Sequence, residues 1–189
     1  MDNYFVKVVY TMKLQIGGFL DNSLVNGDGM RSVIFVSGCM HNCEGCQNQA
    51  MQSSNYGDSV SIDDILCKIK KNMPIIKGVT FSGGEPFNSA LALSKLSVGI
   101  KDQGLSIWCY SGYTFDEILH SGDKDKLMLL RFIDVLIDGK FYEELNEVAS
   151  RYTGSSNQRI IDVQKSIIGN KIVLWSKQIS NSNEIITLK

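Results

Sequence analysis

Three short breaks in the chain, "SGC" at 37–39, "SGGEP" at 82–86 and "YSGY" at 110–113, each follow directly on an apolar run. The runs, Val33–Val36, Lys77–Phe81 and Leu105–Cys109, are short, rich in β-branched and aromatic residues and closed by glycine or serine. That is the signature of buried strands. Between them lie segments of helical period. Ile62, Ile65, Leu66 and Ile69 follow Ser61 or Asp63 as candidate caps, and a second helix runs from near Ser89 through Leu91, Leu93 and Leu96 toward Gly99. Strand, loop, helix and strand in repetition predict an α/β fold with a mostly parallel sheet and outer helices. In such a sheet the loops after successive strands gather at one edge, where open α/β sheets and barrels bind ligands. A fourth strand, Ile133–Ile137, brings Asp138, Gly139 and Lys140 to that edge. Tyr4–Met12, "IIDV" at 160–163 and "KIVLWS" at 171–176 are further candidate strands, and "FDEIL" at 115–119 is a short helical turn. No linker-like run or internal repeat divides the 189 residues, so residues 1–189 read as one domain.

Nineteen basic residues against 20 acidic ones leave a net charge near -1. A dedicated nucleic-acid binder carries a clear basic excess, so direct nucleic-acid binding is not expected. No apolar run approaches a membrane-spanning length, and the first residues lack the order of a signal peptide. A cytoplasmic location is the expectation, and there disulfides do not staple folds.

Five cysteines are an odd number, and Cys39, Cys43 and Cys46 fall within eight residues as C-x3-C-x2-C. Such a set reads as metal ligands. Two chemistries compete. Structural zinc usually takes four protein ligands, with His41 in the loop or His120 from elsewhere as the fourth, and Cys67 or Cys109 as weaker candidates. An iron–sulfur cube held by three thiolates leaves its fourth iron open to a small molecule. Gly38 and Gly45 permit unusual turns around such a group.

"TFSGGEP" projects toward the same edge. Backbone groups of Ser82, Gly83 and Gly84 are placed to meet an amino-acid-like ligand, with Glu85 opposing a positive group or organising the loop. Taken alone, a glycine pair is a common turn. Together the two motifs describe an open metal cluster beside a polar shelf.

At these residues the chain resembles the radical S-adenosylmethionine superfamily, through the three cysteines and Gly83–Gly84–Glu85. More finely, it resembles the activators of anaerobic ribonucleoside-triphosphate reductase, through "VNGDGMRSVIFVSGC", "CEGCQN", "TFSGGEPF", "YSGYTFDEI", "DVLIDGKF" and "GSSNQRIIDV". These fragments span a recognisable core of about 25–163. Gly45, where many radical enzymes have an aromatic residue before the third cysteine, is similar to the activator subgroup. The resemblance implies an incomplete (β/α) barrel, in keeping with a length short of the roughly 250 residues of a full one. It implies one [4Fe-4S] cluster on Cys39, Cys43 and Cys46, with S-adenosyl-L-methionine at the unique iron and its methionine portion near Ser82, Gly83, Gly84 and Glu85. Tyr110, Ser111, Asp138, Lys140, Asn157 and Arg159 are implied as further cofactor-facing residues. The implied reaction generates a 5'-deoxyadenosyl radical that takes hydrogen from a glycine of the reductase large subunit. Flavodoxin or another low-potential donor is implied as the electron source. The compartment expected from the resemblance is the cytoplasm, bacterial or of the host if a virus encodes the chain. A radical enzyme acting on another macromolecule and a non-catalytic zinc-binding interaction protein are the alternatives.

Overall fold

A computed structural model describes residues 12–177 of the chain. Its strands are β1 (Lys13–Ser23), β2 (Arg31–Val36), β3 (Asp58–Ser61), β4 (Gly78–Gly83), β5 (Ser106–Tyr110), β6 (Val135–Asp138) and β7 (Arg159–Asp162). Its helices are α1 (Ile62–Asn72), α2 (Ala90–Asp102), α3 (Phe115–Leu119), α4 (Lys124–Phe132) and α5 (Val163–Gly169).

The strands form one sheet in the order β3-β1-β2-β4-β5-β6-β7. The central four, β2, β4, β5 and β6, run parallel. At the flanks β1 pairs antiparallel with both β2 and β3, and β7 pairs antiparallel with β6. The sheet is therefore mixed rather than mostly parallel. The parallel centre follows from α-helical crossovers, whereas β1 returns to β2, and β6 to β7, without an α-helix between them.

Among the described residues, helices cover one face only. Ile34, Val36, Val79, Phe81, Ile107, Cys109 and Leu136 of the sheet pack against Ile62, Ile65 and Ile69 of α1 and Leu93, Leu96 and Ile100 of α2. Each such aliphatic side chain contributes about 1.5–3 kcal/mol on burial. Ser61 caps α1 by accepting from the Asp64 backbone N–H, with Asp63 and Asp64 in the first turn and Lys70 and Lys71 in the last. Thr114 and Glu117 form a reciprocal capping box that starts α3 directly after β5. The opposite face is aromatic. Trp108, Val135 and Ile137 are covered by Tyr110, Tyr152, Ile160 and Trp175.

The Tyr4–Met12 strand lies outside the described residues except for Met12, which precedes β1. "KIVLWS" does not become a strand, and only Leu174 bridges to Ile161. Residues 171–177 instead carry Trp175 onto Trp108, ring centroids 5.0 Å apart. The breaks after β2, β4, β5 and β6 do lie at one edge, because those strands are parallel and in register from Val36 beside Gly83 to Tyr110 beside Ile137.

Candidate active site

At that edge lies a cleft of about 420 Å³. Cys39, Cys43 and Cys46 line it, and so do Ser82, Gly83, Gly84, Glu85, Tyr110 and Ser111.

The cysteine loop is stitched down on both sides. The N–H groups of Gly38 and Cys39 donate to the carbonyls of Met51 and Gln52 at 2.8 and 3.0 Å, closing the loop on its own distal turn. The N–H of Gly84 donates to Val36 O at 2.7 Å, and that of Glu85 to Gly38 O at 2.9 Å, joining the loop to the turn after β4. Glycine is required at this seam. Gly83 has φ +101°, and a Cβ on Gly84 would lie 2.6 Å from Gly38 O and 2.8 Å from Met51 O.

Glu85 is only 1% exposed and its carboxylate accepts four hydrogen bonds. Oε1 takes the N–H of Phe87 at 2.9 Å and the hydroxyl of Ser111 at 3.0 Å. Oε2 takes the N–H of Gly112 at 2.8 Å and Nε2–H of His41 at 3.0 Å. Glu85 thus ties together the loops after β2, β4 and β5. The Cys39 thiol is pushed up from its ordinary value by burial, opposed by the His41 backbone N–H and reinforced by the negative charges of Glu85, Cys43 and Cys46. Burial likewise pushes up the Tyr110 phenol.

The donor set suits an iron–sulfur cube. Three soft thiols face one cleft, and each thiolate of a cube binds its own iron. Among the described residues no three His, Cys, Asp or Glu side chains converge as one bound ion requires. His41 donates Nε2–H to Glu85 and joins no such convergent group, and His120 is exposed with Nδ1 on Asp116 O at 2.8 Å. Cys67 is exposed on α1, and Cys109 lies in the helix-side core, away from the cleft lining.

Asp138, Lys140, Asn157 and Arg159 are not among the residues that line the cleft. Asp138 is buried, accepts from the Phe115 N–H at 2.7 Å and from Arg159 Nε at 3.0 Å, and so fastens the start of α3 to β7. Arg159 is held above its ordinary value by this hydrogen bond and by the charge of Asp138. Lys140 is exposed, and its carbonyl accepts from Asn157 Nδ2 at 2.8 Å. The wall here is built instead from their neighbours Gly139, Phe141, Tyr152, Gly154 and Gln158. Gln158 donates to Gly139 O at 2.8 Å and accepts from Gly154 N at 2.8 Å. A signal for Gln158 existed, since it lies inside "SSNQR". None existed for Tyr152, which belongs to a polar excursion with no period.

Residues 25–161 match the family model described as a 4Fe-4S single cluster domain. The anaerobic ribonucleoside-triphosphate reductase-activating protein of Vibrio cholerae is 37% identical over 144 residues, covering 72% of this chain and 90% of that protein. The protein of the same name from Haemophilus influenzae is 36% identical, covering 75% and 94%. That of Enterobacteria phage T4 is 34% identical, covering 72% and 86%. The chain belongs to the 4Fe-4S single cluster family and, within it, to the anaerobic ribonucleoside-triphosphate reductase-activating proteins.

Proposed function

We propose that this chain is a glycyl-radical activase, a radical S-adenosylmethionine enzyme whose substrate is a glycine of an anaerobic ribonucleoside-triphosphate reductase. One observation carries the reading: the three cysteines and the Ser82–Glu85 turn share one cleft at the carboxyl edge of four parallel strands. When bound, a reduced [4Fe-4S] cluster supplies the electron that cleaves S-adenosylmethionine to methionine and a 5'-deoxyadenosyl radical. Cys39, Cys43 and Cys46 hold the cluster in this reading. The Gly83–Gly84 turn receives the methionine portion, where the lack of side chains lets a ligand approach the backbone. Glu85 keeps that turn and the cysteine loop in register. Tyr110 and Ser111 form the adjoining wall, while Asp138, Arg159, Lys140 and Asn157 support the cleft from outside its lining.

The fold in this reading is an incomplete barrel forming a single domain. Its open side admits a glycine-bearing loop from the reductase, which a closed barrel of eight units would exclude. The protein's contribution is then placement and exclusion of side reactions. The electron comes from flavodoxin or another low-potential donor, and the work is done in the cytoplasm. No helix among the described residues is long and apolar enough to cross a membrane.

The test is anaerobic reconstitution with iron and sulfide, followed by reduction in the presence of S-adenosylmethionine and the reductase. Methionine, 5'-deoxyadenosine and a glycine-centred radical on the partner are the expected products. Cofactor cleavage without a partner radical would overturn the substrate assignment, and failure to assemble a cluster would overturn the chemistry.

A further inference from the structure

His41 has no part in the chemistry just described, yet it is held more firmly than a loop residue needs to be. It stands between Cys39 and Cys43, and its neighbour Asn42 takes φ +48°. Despite this loop position its side chain is only 10% exposed. Nε2 lies 3.0 Å from Glu85 Oε2, and because a carboxylate only accepts, the imidazole N–H is the donor. The ring meets Tyr113 edge-on, with centroids 4.6 Å apart. It also covers Gly112 so closely that a Cβ there would lie 2.4 and 2.6 Å from ring atoms. One side chain of the loop after β2 therefore touches the loops after both β4 and β5. The contacts differ in kind, one polar and two steric, so the ring cannot slide without losing one of them. The other end of the polar contact is equally fixed, since Phe87, Ser111 and Gly112 hold the Glu85 carboxylate.

We propose that His41 is a positioning residue that latches the cysteine loop to the Gly83–Glu85 turn and so sets the cluster at its working distance from S-adenosylmethionine. The inference rests on the function proposed above. A slack loop with three thiols still assembles a cluster, because each thiolate follows its own iron. What a slack loop cannot do is present the open iron at a fixed distance from a cofactor seated on a different loop. Misplacement by about 1 Å is enough to cost on the order of 100-fold in rate. Removing the latch therefore spares assembly and damages register.

Two substitutions test this by independent routes. His41→Ala deletes the latch. Gly112→Ala leaves every polar group in place and drives the ring out of its seat. Both proteins are reconstituted anaerobically, and iron and sulfide per chain are expected to match the wild type. The electron paramagnetic resonance spectrum of the reduced cluster is then titrated with S-adenosylmethionine. The concentration giving half of the spectral change is expected to rise about tenfold or more in both variants, the effect of losing a hydrogen bond to a charged group. His41→Gln, whose amide N–H restores a donor to Glu85, is expected to recover most of that loss. Wild-type titration curves in both alanine variants would overturn the latch and leave the proposed function standing. Loss of the iron itself in both would also overturn it, because His41 would then hold the ligand set rather than its register. A wild-type protein that assembles its cluster but shows no spectral response to S-adenosylmethionine would instead overturn the function on which the latch rests.

Discussion

The backbone N–H of Glu85 donates to the carbonyl of Gly38 at 2.9 Å, so the cysteine loop and the glycine turn of the neighbouring strand form one body. Parallel pairing of β2 and β4 brings Val36 beside Gly83, and the two loops leave their strands side by side. Cluster ligands and cofactor shelf are thus related through backbone rather than through long side chains. Backbone contacts of this kind hold tolerances that flexible side chains do not.

Gly84→Ala is expected to break that seam. Its Cβ meets two carbonyl oxygens, at 2.6 and 2.8 Å, and neither belongs to a side chain that can turn away. The expected cost is about 1–3 kcal/mol in urea unfolding of the metal-free protein, together with a weaker spectral response of the reconstituted cluster to S-adenosylmethionine. Wild-type values for both would show that the two loops are not joined as described.

Glu85→Gln tests whether the carboxylate organises the site. The best amide orientation turns NH2 toward Ser111, whose hydroxyl can accept, and keeps oxygen facing His41 and Gly112. That orientation leaves the buried N–H of Phe87 without its acceptor. A loss of about 1–3 kcal/mol is expected in denaturant unfolding, beside weaker S-adenosylmethionine binding by calorimetry. Unchanged unfolding would refute the organising role and return Glu85 to a purely ligand-facing one.

The common edge was legible in the sequence because each of its pieces is local. An apolar run ending in glycine announces itself within a few residues, and three such runs located Cys39, Gly83–Gly84–Glu85 and Tyr110–Ser111. Pairing direction is not local, so nothing in "LQIGGFLDN" announced an antiparallel β1, whose pairing shifts register between Ile16 and Gly18. The polar edge strand "DSVS" carried no pattern at all. Asp138 and Arg159 were visible as residues near the edge, but their mutual hydrogen bond spans 21 positions, and neither is among the residues lining the cleft. The same holds for His41, whose partners Glu85, Gly112 and Tyr113 come from other loops.

The cysteines should separate by function and by pH. Cys39→Ser, Cys43→Ser and Cys46→Ser are each expected to abolish most of the visible iron–sulfur absorption, whereas Cys67→Ser on the exposed face of α1 should retain it. Burial and neighbouring negative charge hold the Cys39 thiol above its ordinary value. Thiolate is the reactive form, so Cys39 in metal-free protein should alkylate more slowly than glutathione at pH 8. The gap should narrow as pH rises toward the Cys39 value, and cluster assembly, which must displace that proton, should quicken in the same direction. Site-resolved mass spectrometry reads the first effect, and Cys39 reacting as fast as glutathione at pH 8 would contradict it.

Arg31 supplies the last test, at the opposite end of the strands. It is 1% exposed, and burial pulls its guanidinium down to about 10. Nε donates to Thr80 Oγ1 at 2.8 Å, while Nη2 donates to Val79 O at 2.8 Å and Ser106 O at 2.9 Å. Nη1 reaches Asp28 O at 3.2 Å and Ser106 Oγ at 3.1 Å, and the group lies 5.3 Å from the Trp108 ring centroid. Every acceptor is neutral, so the planar fork clamps β2, β4 and β5 through hydrogen bonds instead of an ion pair. Arg31→Met strands buried carbonyls, and Arg31→Lys cannot span both sides of the fork. Each is expected to cost about 3 kcal/mol or more in denaturant unfolding. Because the clamp lies away from the cysteine edge, the protein that still folds is expected to take up wild-type iron. Normal stability would dismiss the clamp, and normal stability with lost iron would move Arg31 from the frame of the sheet into the support of the cluster loop.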